Sequence, residues 1–418
     1  MKIDTMKYIS ELLESINRCL LPKLDLNFEE STAHVEFDIR NKNLRHNFQL
    51  LEQCLGDLDI LKTKETSAII SSLLILYKEL TCDCPWNNEN TQEYSKKLNI
   101  YFELLCGLRL DNILQQNTNF DVQEIYDKSL DVLHGKLTYD NFKKYPGQIE
   151  VYCSIVKDLR KYKVGLKPQK IFPASLLLID DYINTNRSKG LICCLSILRC
   201  LDYKDFDGGN YYEVVYRSLM KTFVEKDADV TKLTHACLLE LCRMFPSDVK
   251  NAKLEEMYTG VLDQLYTESN LQRKAECFKF TKHIIQLYKI NCVSKNIFRT
   301  IICDSLDVCT NEAVAEILLS STLQCLEEWI RYCWCIWKLQ TDHKIISILF
   351  KVLYTCKDED LATHMQKLLI TLITLCKTDE QEKIMADLEK AIDMENNNFN
   401  TRVETIKQEI YVNECIFE

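Results

Sequence analysis

The chain carries 21 cysteines and 7 histidines, the residue types that most often ligate metals or act as nucleophiles. Their spacing decides what they can do. A structural zinc site uses Cys-x2–4-Cys knuckles on turns, matched by a second pair. No Cys-x-x-Cys occurs; the close pairs are Cys82/Cys84, Cys193/Cys194 and Cys333/Cys335. Cys333 and Cys335 fall in RYCWCIW, a helical stretch, where positions two apart diverge by about 200°. Cys82 and Cys84 sit on a loop and could chelate, but the sequence offers no partner pair. His235 and Cys237 do not face each other on a helix, and His34, His46, His134, His283, His343 and His364 belong to no motif. Neither a GxGxxG nor a GxxxxGK[ST] phosphate cradle occurs, and no HExxH. The expectation is therefore a chain without catalytic residues, cofactor or metal, whose thiols act as small hydrophobes in the core.

Other residues are suited to binding rather than reaction. Asp180 and Asp181 are adjacent carboxylates at a corner. They bind a basic partner residue, or they end one helix and cap the next or pair with Arg187 or Lys189; the second reading is preferred. Trp329, Tyr332, Trp334 and Trp337 crowd one helix, EEWIRYCWCIWKL. Helical spacing puts Ile330, Trp334 and Trp337 on one face, either as core or as interface anchors. Trp86 follows Pro85 on the loop CDCPWNNEN, where packing on its own domain is the simpler reading. Asp180, Asp181, Trp334, Trp337 and Trp86 are thus the candidates for partner contact.

The elements that must position these residues are helices. Gly is 9 and Pro 6 in 418 residues, well below the turn content that a sheet fold needs. From Ile171 to Leu201 the chain reads IFPASLLLIDDYINTNRSKGLICCLSILRCL. An apolar helix ends at the acidic break Asp180-Asp181-Tyr182, a polar link follows, and a second helix, apolar almost all round, runs from Gly190. Such a helix has to be covered by neighbours, so the pair belongs inside a stack. Helices are expected at 41–55, 65–81, 92–116, 121–134, 147–161, 171–179, 188–201, 210–225, 230–244, 252–266, 270–289, 293–305, 311–337, 342–355, 359–376, 379–394 and 399–412, after a first one at about 5–20. Ser31 to Asp38 is less regular, Gly208-Gly209 marks a turn, and Ser247, Asp229 and Thr378 are expected N-caps. Short corners make neighbours antiparallel, and pairs recur about every 40 residues, the armadillo or HEAT range.

The expected fold is all-α, an α-solenoid of HEAT/armadillo-like antiparallel helix pairs. It forms a single continuous superhelix over 1–418, with a bend near 163–170 between an N-terminal helical part (1–162) and C-terminal helical repeats (171–418). Such a stack escapes the size limit of one compact core, and 46% hydrophobic residues supply it. The net charge of −10 and the lack of a basic stripe speak against direct nucleic-acid binding. No apolar run reaches the roughly 20 residues of a membrane span. The N-terminus, MKIDTMKYISELLE, does not read as a secretory signal, so a reducing cytoplasmic or nuclear setting is expected.

The segment around Pro173 also resembles a known family. An extended P-x-x-L-x-x-x-D-D-Y helix end, a polar corner with a basic residue, and an apolar helix led by Gly190 are similar to the second-subunit family of the Triple-T (TTT) complex, the telomere-maintenance-interacting protein two family. The flanks agree: Pro146-Gly147-Gln148 opens a helix ending in Leu159-Arg160, Tyr211 to Phe223 is rich in tyrosine and apolar residues, and Ala236 to Pro246 reads ACLLELCRMFP. The resemblance is clearest from Pro146 to Tyr288, weaker to Lys377, and thin before Tyr94 apart from Pro85-Trp86. It implies a non-catalytic scaffold bound to the other two subunits, themselves helical-repeat proteins. The implied task is cochaperone-like, supporting maturation of phosphatidylinositol-3-kinase-related kinases with the heat-shock chaperone machinery, and hence DNA-damage signalling and telomere maintenance. Another HEAT or armadillo adaptor, such as a transport receptor or a tubulin-cofactor-like protein, is the alternative.

Overall fold

The structure, a computed structural model, describes residues 2–29, 34–57, 65–115, 120–206, 209–337, 343–390 and 396–417, without the side chains of 2–6 and 412–417. Ser31 to Ala33, Gly208 and the end of the helix expected at 379–394 lie outside the described residues. Within them there are 18 α-helices and no strand.

The chain packs as two compact units, Met1–Met220 with Ala236–Met244, and Lys221–His235 with Phe245–Glu418. The first holds α1 (Lys2–Cys19), α2 (Val35–Asp57), α3 (Thr66–Thr81), α4 (Glu89–Cys106), α5 (Val122–Lys136), α6 (Pro146–Lys157), α7 (Pro168–Ile179) and α8 (Asn184–Leu198). Consecutive helices pair as α1–α2, α3–α4, α5–α6 and α7–α8, while α1, α3, α5 and α7 stack in succession. Helices α9 (Tyr211–Thr222) and α10 (Ala228–Leu241) contribute to both units. The second unit repeats the scheme with α11 (Ser247–Thr267), α12 (Leu271–Tyr288), α13 (Ile297–Asp307), α14 (Glu312–Trp337), α15 (Lys344–Thr355), α16 (Glu359–Thr374), α17 (Thr378–Lys390) and α18 (Asn397–Phe417). There α11, α13 and α15 stack in one layer and α12, α14, α16 and α18 in the other.

The repeat that the sequence hides is visible in side-chain bonds between equivalent positions. Lys170 meets Asp131 and Lys189 meets Glu150, each 39 residues apart. Lys282 donates to Gln324 across 42 residues, and Arg402 to Glu359 across 43. Self-similarity survives as geometry because stacking only needs the same face to be apolar in each repeat.

Three buried arginines bind backbone carbonyls in different repeats, two of them at helix ends. The last carbonyls of a helix have no partner within it, and a cation at that end also opposes the helix dipole. Arg40 Nε donates to the Cys19 carbonyl at the end of α1 (3.3 Å). Arg273 Nε donates to the Glu225 carbonyl beyond α9 (3.0 Å). Arg402 Nη1 takes the Leu353 and Cys356 carbonyls at the end of α15, at 3.0 and 2.8 Å.

Local chemistry moves several expected boundaries. The helix expected at 92–116 stops at Cys106, because Gly107 adopts φ 69°, the left-handed cap that favours glycine. Asn88 and Thr91 start it with a reciprocal capping box. Asp227, not Asp229, caps α10, accepting from the Asp229 and Val230 amides. Ser247 and Thr378 are the first residues of their helices rather than the caps. Helix α7 begins at Pro168, where a missing N–H costs nothing, and holds Pro173 inside it on the exposed side.

Candidate functional site

The α7–α8 corner is built on one glycine. A Cβ on Gly190 would stand 2.6 Å from the Ile179 nitrogen and 2.8 Å from the Ser175 carbonyl oxygen, so only glycine lets α8 lie this close to α7. At the turn Asp181 is buried and Asp180 exposed. Asp181 accepts from Asn186 Nδ2 (2.8 Å) and pairs with Lys143 Nζ (2.7 Å), while Arg187 Nε donates to its backbone oxygen (3.1 Å). Lys189 instead meets Glu150. Lys143 also sits 3.7 Å from the centroid of the exposed Tyr182 ring, a cation–π contact. The buried carboxylate therefore holds the corner together, and Asp180 and Tyr182 are presented to solvent.

Trp86 is packed inside the first unit, against Phe28 edge-on at 5.7 Å and Phe37 at 5.6 Å. In the second unit Trp329 stacks on Phe298 at 5.4 Å, and Trp337 is buried with its indole Nε1 donating to the Leu372 carbonyl at 3.0 Å. Trp334 is 46% exposed. The structure thus separates Trp334 from Trp337: Ile330, Cys333 and Trp337 form the buried face, because α14 is covered on the sides facing α12 and α16.

A run of exposed apolar side chains lies elsewhere, on α4. Ile100, Tyr101, Leu104 and Leu105 are all exposed, Leu104 at 78%. Their spacing of one, four and five residues puts them on one stripe. The opposite face of the helix, Ser95, Leu98, Asn99 and Phe102, is buried, and α4 packs on α3. Asn99 Oδ1 accepts from the Leu110 amide at 2.8 Å and holds the returning chain to the inner face. The sequence conceals this stripe. Apolar residues occupy both sides of α4, and the side given to the core is decided by packing against α3.

A cleft of about 300 Å³ in the first unit collects the thiols for which no partner was visible in sequence. Cys82 and Cys84 of the loop after α3 face Cys153 of α6 and Cys193 of α8, with Glu150, Lys189 and Ile192 alongside. The hydrogen bond with Cys82 and then burial push the Cys84 thiol up, and the bond with Cys153 and then burial do the same for Cys193. Burial alone would lower the Lys189 ammonium, but its bond to Glu150 carries it above the usual value. The raised Cys84 and Cys193 thiols are therefore protonated and weakly nucleophilic. Ile192, expected to be covered, is half exposed at this rim.

In the second unit His343, Cys376 and Glu380 bring three metal-type donor atoms within 4.8 Å of one another. Nothing in the sequence links them: no motif joins His343 and Cys376, 33 positions apart. No helix of the described residues is long and apolar enough to cross a membrane.

No protein-family model and no curated protein matches the chain. Solved structures do. Kap121p, from the crystal structure of Kap121p bound to Ste12p, superposes with a TM-score of 0.50 at 10% identity, over 98% of this chain and 37% of its own. Kap95p, from a study of its binding to RanGDP, gives 0.48 at 12% identity over 96% of this chain and 57% of its own. Importin beta gives 0.48 at 9% identity, over 97% and 58%. The chain therefore spans little more than half the length of two of these proteins and about a third of the other, and at such identities the likeness concerns fold alone. With its helix pairs and two-layer stacking, the chain is an all-α solenoid of HEAT/armadillo-like antiparallel helix pairs.

Proposed function

We propose that the chain is a non-catalytic scaffold whose α4 stripe docks a helix of a helical-repeat partner. The exposed run of Ile100, Tyr101, Leu104 and Leu105 carries this reading. A contiguous exposed apolar patch marks an interaction site, and the spacing suits helix-against-helix recognition. Solenoids offer long surfaces for such contacts.

The finer reading rests on the resemblance from Pro146 to Tyr288. It makes the chain the second subunit of a Triple-T cochaperone complex in cytoplasm and nucleus, supporting maturation and assembly of phosphatidylinositol-3-kinase-related kinases. Gly190 supports the pattern behind that resemblance, since it sits where α7 and α8 touch. Affinity purification of the tagged chain from its own cells, with mass spectrometry, tests both levels. Two large helical-repeat proteins in near-stoichiometric amounts and kinases of that class in smaller amounts support the complex. Recovery of import cargoes or tubulin instead would replace it with another adaptor role.

A further inference from the structure

Three helix ends of the second unit meet at one corner, each bringing a donor side chain. His343 stands immediately before α15, Cys376 two residues past the end of α16, and Glu380 in the first turn of α17. The imidazole turns Nδ1 toward Cys376 Sγ at 3.8 Å and Nε2 toward Glu380 Oε2 at 3.5 Å. Among the described residues, no other trio of His, Cys, Asp or Glu donor atoms lies this close together.

Two observations at this corner bear on a bound ligand. His343 Nε2 is buried and makes no hydrogen bond, although a carboxylate oxygen stands nearby at ion-pair distance. A buried ring nitrogen left this way is costly in a site with no ligand. The donors are also held from behind, as metal ligands usually are. Glu380 Oε2 accepts the Lys377 amide at 3.2 Å. The Trp337 ring lies 6.0 Å from the imidazole and is anchored by its bond to the Leu372 carbonyl. The Cys376 thiol donates to that same carbonyl at 3.3 Å, a bond it gives up on losing its proton to bind a metal.

We propose that His343, Cys376 and Glu380 bind a divalent transition metal of the zinc type, with a fourth position open to water. One sulfur, one nitrogen and one oxygen form a borderline-soft set that suits zinc or cobalt and disfavours calcium and magnesium, which take oxygen ligands. Around a tetrahedral zinc, ligands at 2.0–2.3 Å stand about 3.3–3.7 Å apart. The 3.8 and 3.5 Å separations run from opposite ring nitrogens; with one donor atom per residue the three lie within 4.8 Å of one another, so closure needs a turn of the imidazole to aim one nitrogen at the ion and a further approach of the donors. On binding, the Cys376 thiol gives its proton to solvent and a metal–thiolate bond replaces the S–H bond; the imidazole binds as the neutral ring and keeps the proton on its other nitrogen. The ion would tie the start of α15, the end of α16 and the start of α17 into one joint.

The order Cys–His–Glu would also suit a nucleophilic thiol. Cys376, however, is buried and its thiol is pushed up by that burial, the opposite of an activated cysteine.

The test uses the purified full chain, reduced and stripped of metal, titrated with cobalt(II) alone. The expected result is a thiolate-to-cobalt charge-transfer band that saturates at one equivalent. Zinc displaces it and raises the unfolding temperature. His343→Ala and Cys376→Ser abolish the band, Glu380→Gln weakens binding at least tenfold, and Cys84→Ser leaves it intact. Circular dichroism checks that each variant is folded. Absence of the band in the unaltered chain overturns the proposal whatever the variants do. An equal band in Cys376→Ser also overturns it, as does rapid alkylation of Cys376 at neutral pH that zinc does not slow.

Discussion

Arg402 Nη2 lies 2.7 Å from Glu359 Oε1, and its Nη1 holds two carbonyls at the end of α15. One side chain thereby joins the last turn of α15, the first turn of α16 and α18. Replacing it with methionine keeps the stem and removes the guanidinium, leaving the Leu353 and Cys356 carbonyls without that donor. Arg402→Met should lower the stability of the second unit by about 2–4 kcal/mol, read as a shift of the urea midpoint. A shift near zero would mean that water replaces the guanidinium freely.

Glu79 is fully buried in the first unit. It accepts from the Leu21 amide at 2.7 Å and Gln148 Nε2 at 3.1 Å, with Arg40 Nη2 at 3.9 Å. Burial pushes its carboxyl up while Arg40 pulls it down. Removing one partner strands a buried charge, so Glu79→Leu should cost about 3–5 kcal/mol. Arg40→Met with Glu79→Leu should cost less than the sum of the single changes. Strict additivity in a double-mutant cycle would show that the pair is not coupled.

Gly190→Ala places a methyl within 2.6 Å of the Ile179 nitrogen. An exposed helix glycine would gain up to about 1 kcal/mol from this change. Here overpacking should reverse the sign, to a loss of about 1–3 kcal/mol in chemical denaturation. A stabilised variant would contradict the close approach of α7 and α8.

His235 is buried, stacked on Phe280 at 4.2 Å, and its imidazole is held down to about 3 by burial and then by Arg273. Its folded value lies below the unfolded one, so the unfolded state binds the extra proton between pH 6.5 and about 3. Its contribution is fully present above pH 6.5 and is lost as pH falls through that window. At pH 5.5 the loss relative to pH 7.5 should be about 1.4 kcal/mol. His235→Phe should show correspondingly less acid sensitivity in parallel unfolding curves; identical pH dependence would mean that the ring is protonated at no cost.

Much of this architecture is legible in the residues. Scarce Gly and Pro, short corners and the apolar helix after Gly190 lead to paired helices, and Asp181 does hold its corner. What stays hidden has physical reasons. The stop at Gly107 depends on a left-handed backbone that an apolar pattern does not register. Trp334 and Trp337 are told apart only by which neighbours cover α14. The α4 stripe is masked because both faces of that helix are apolar, and His343 meets Cys376 only because α15 and α16 pack together.

The proposed scaffold role stands most directly on the α4 stripe. Leu104→Asp with Ile100→Asp alters two exposed side chains, so the unfolding midpoint should stay within about 0.5 kcal/mol of the unaltered chain. The measurement is a side-by-side purification of the tagged chain and this double variant, with quantitative mass spectrometry of what co-purifies. The account predicts that the variant is folded and loses its helical-repeat partners at least tenfold. Equal recovery of those partners by a folded variant would contradict it.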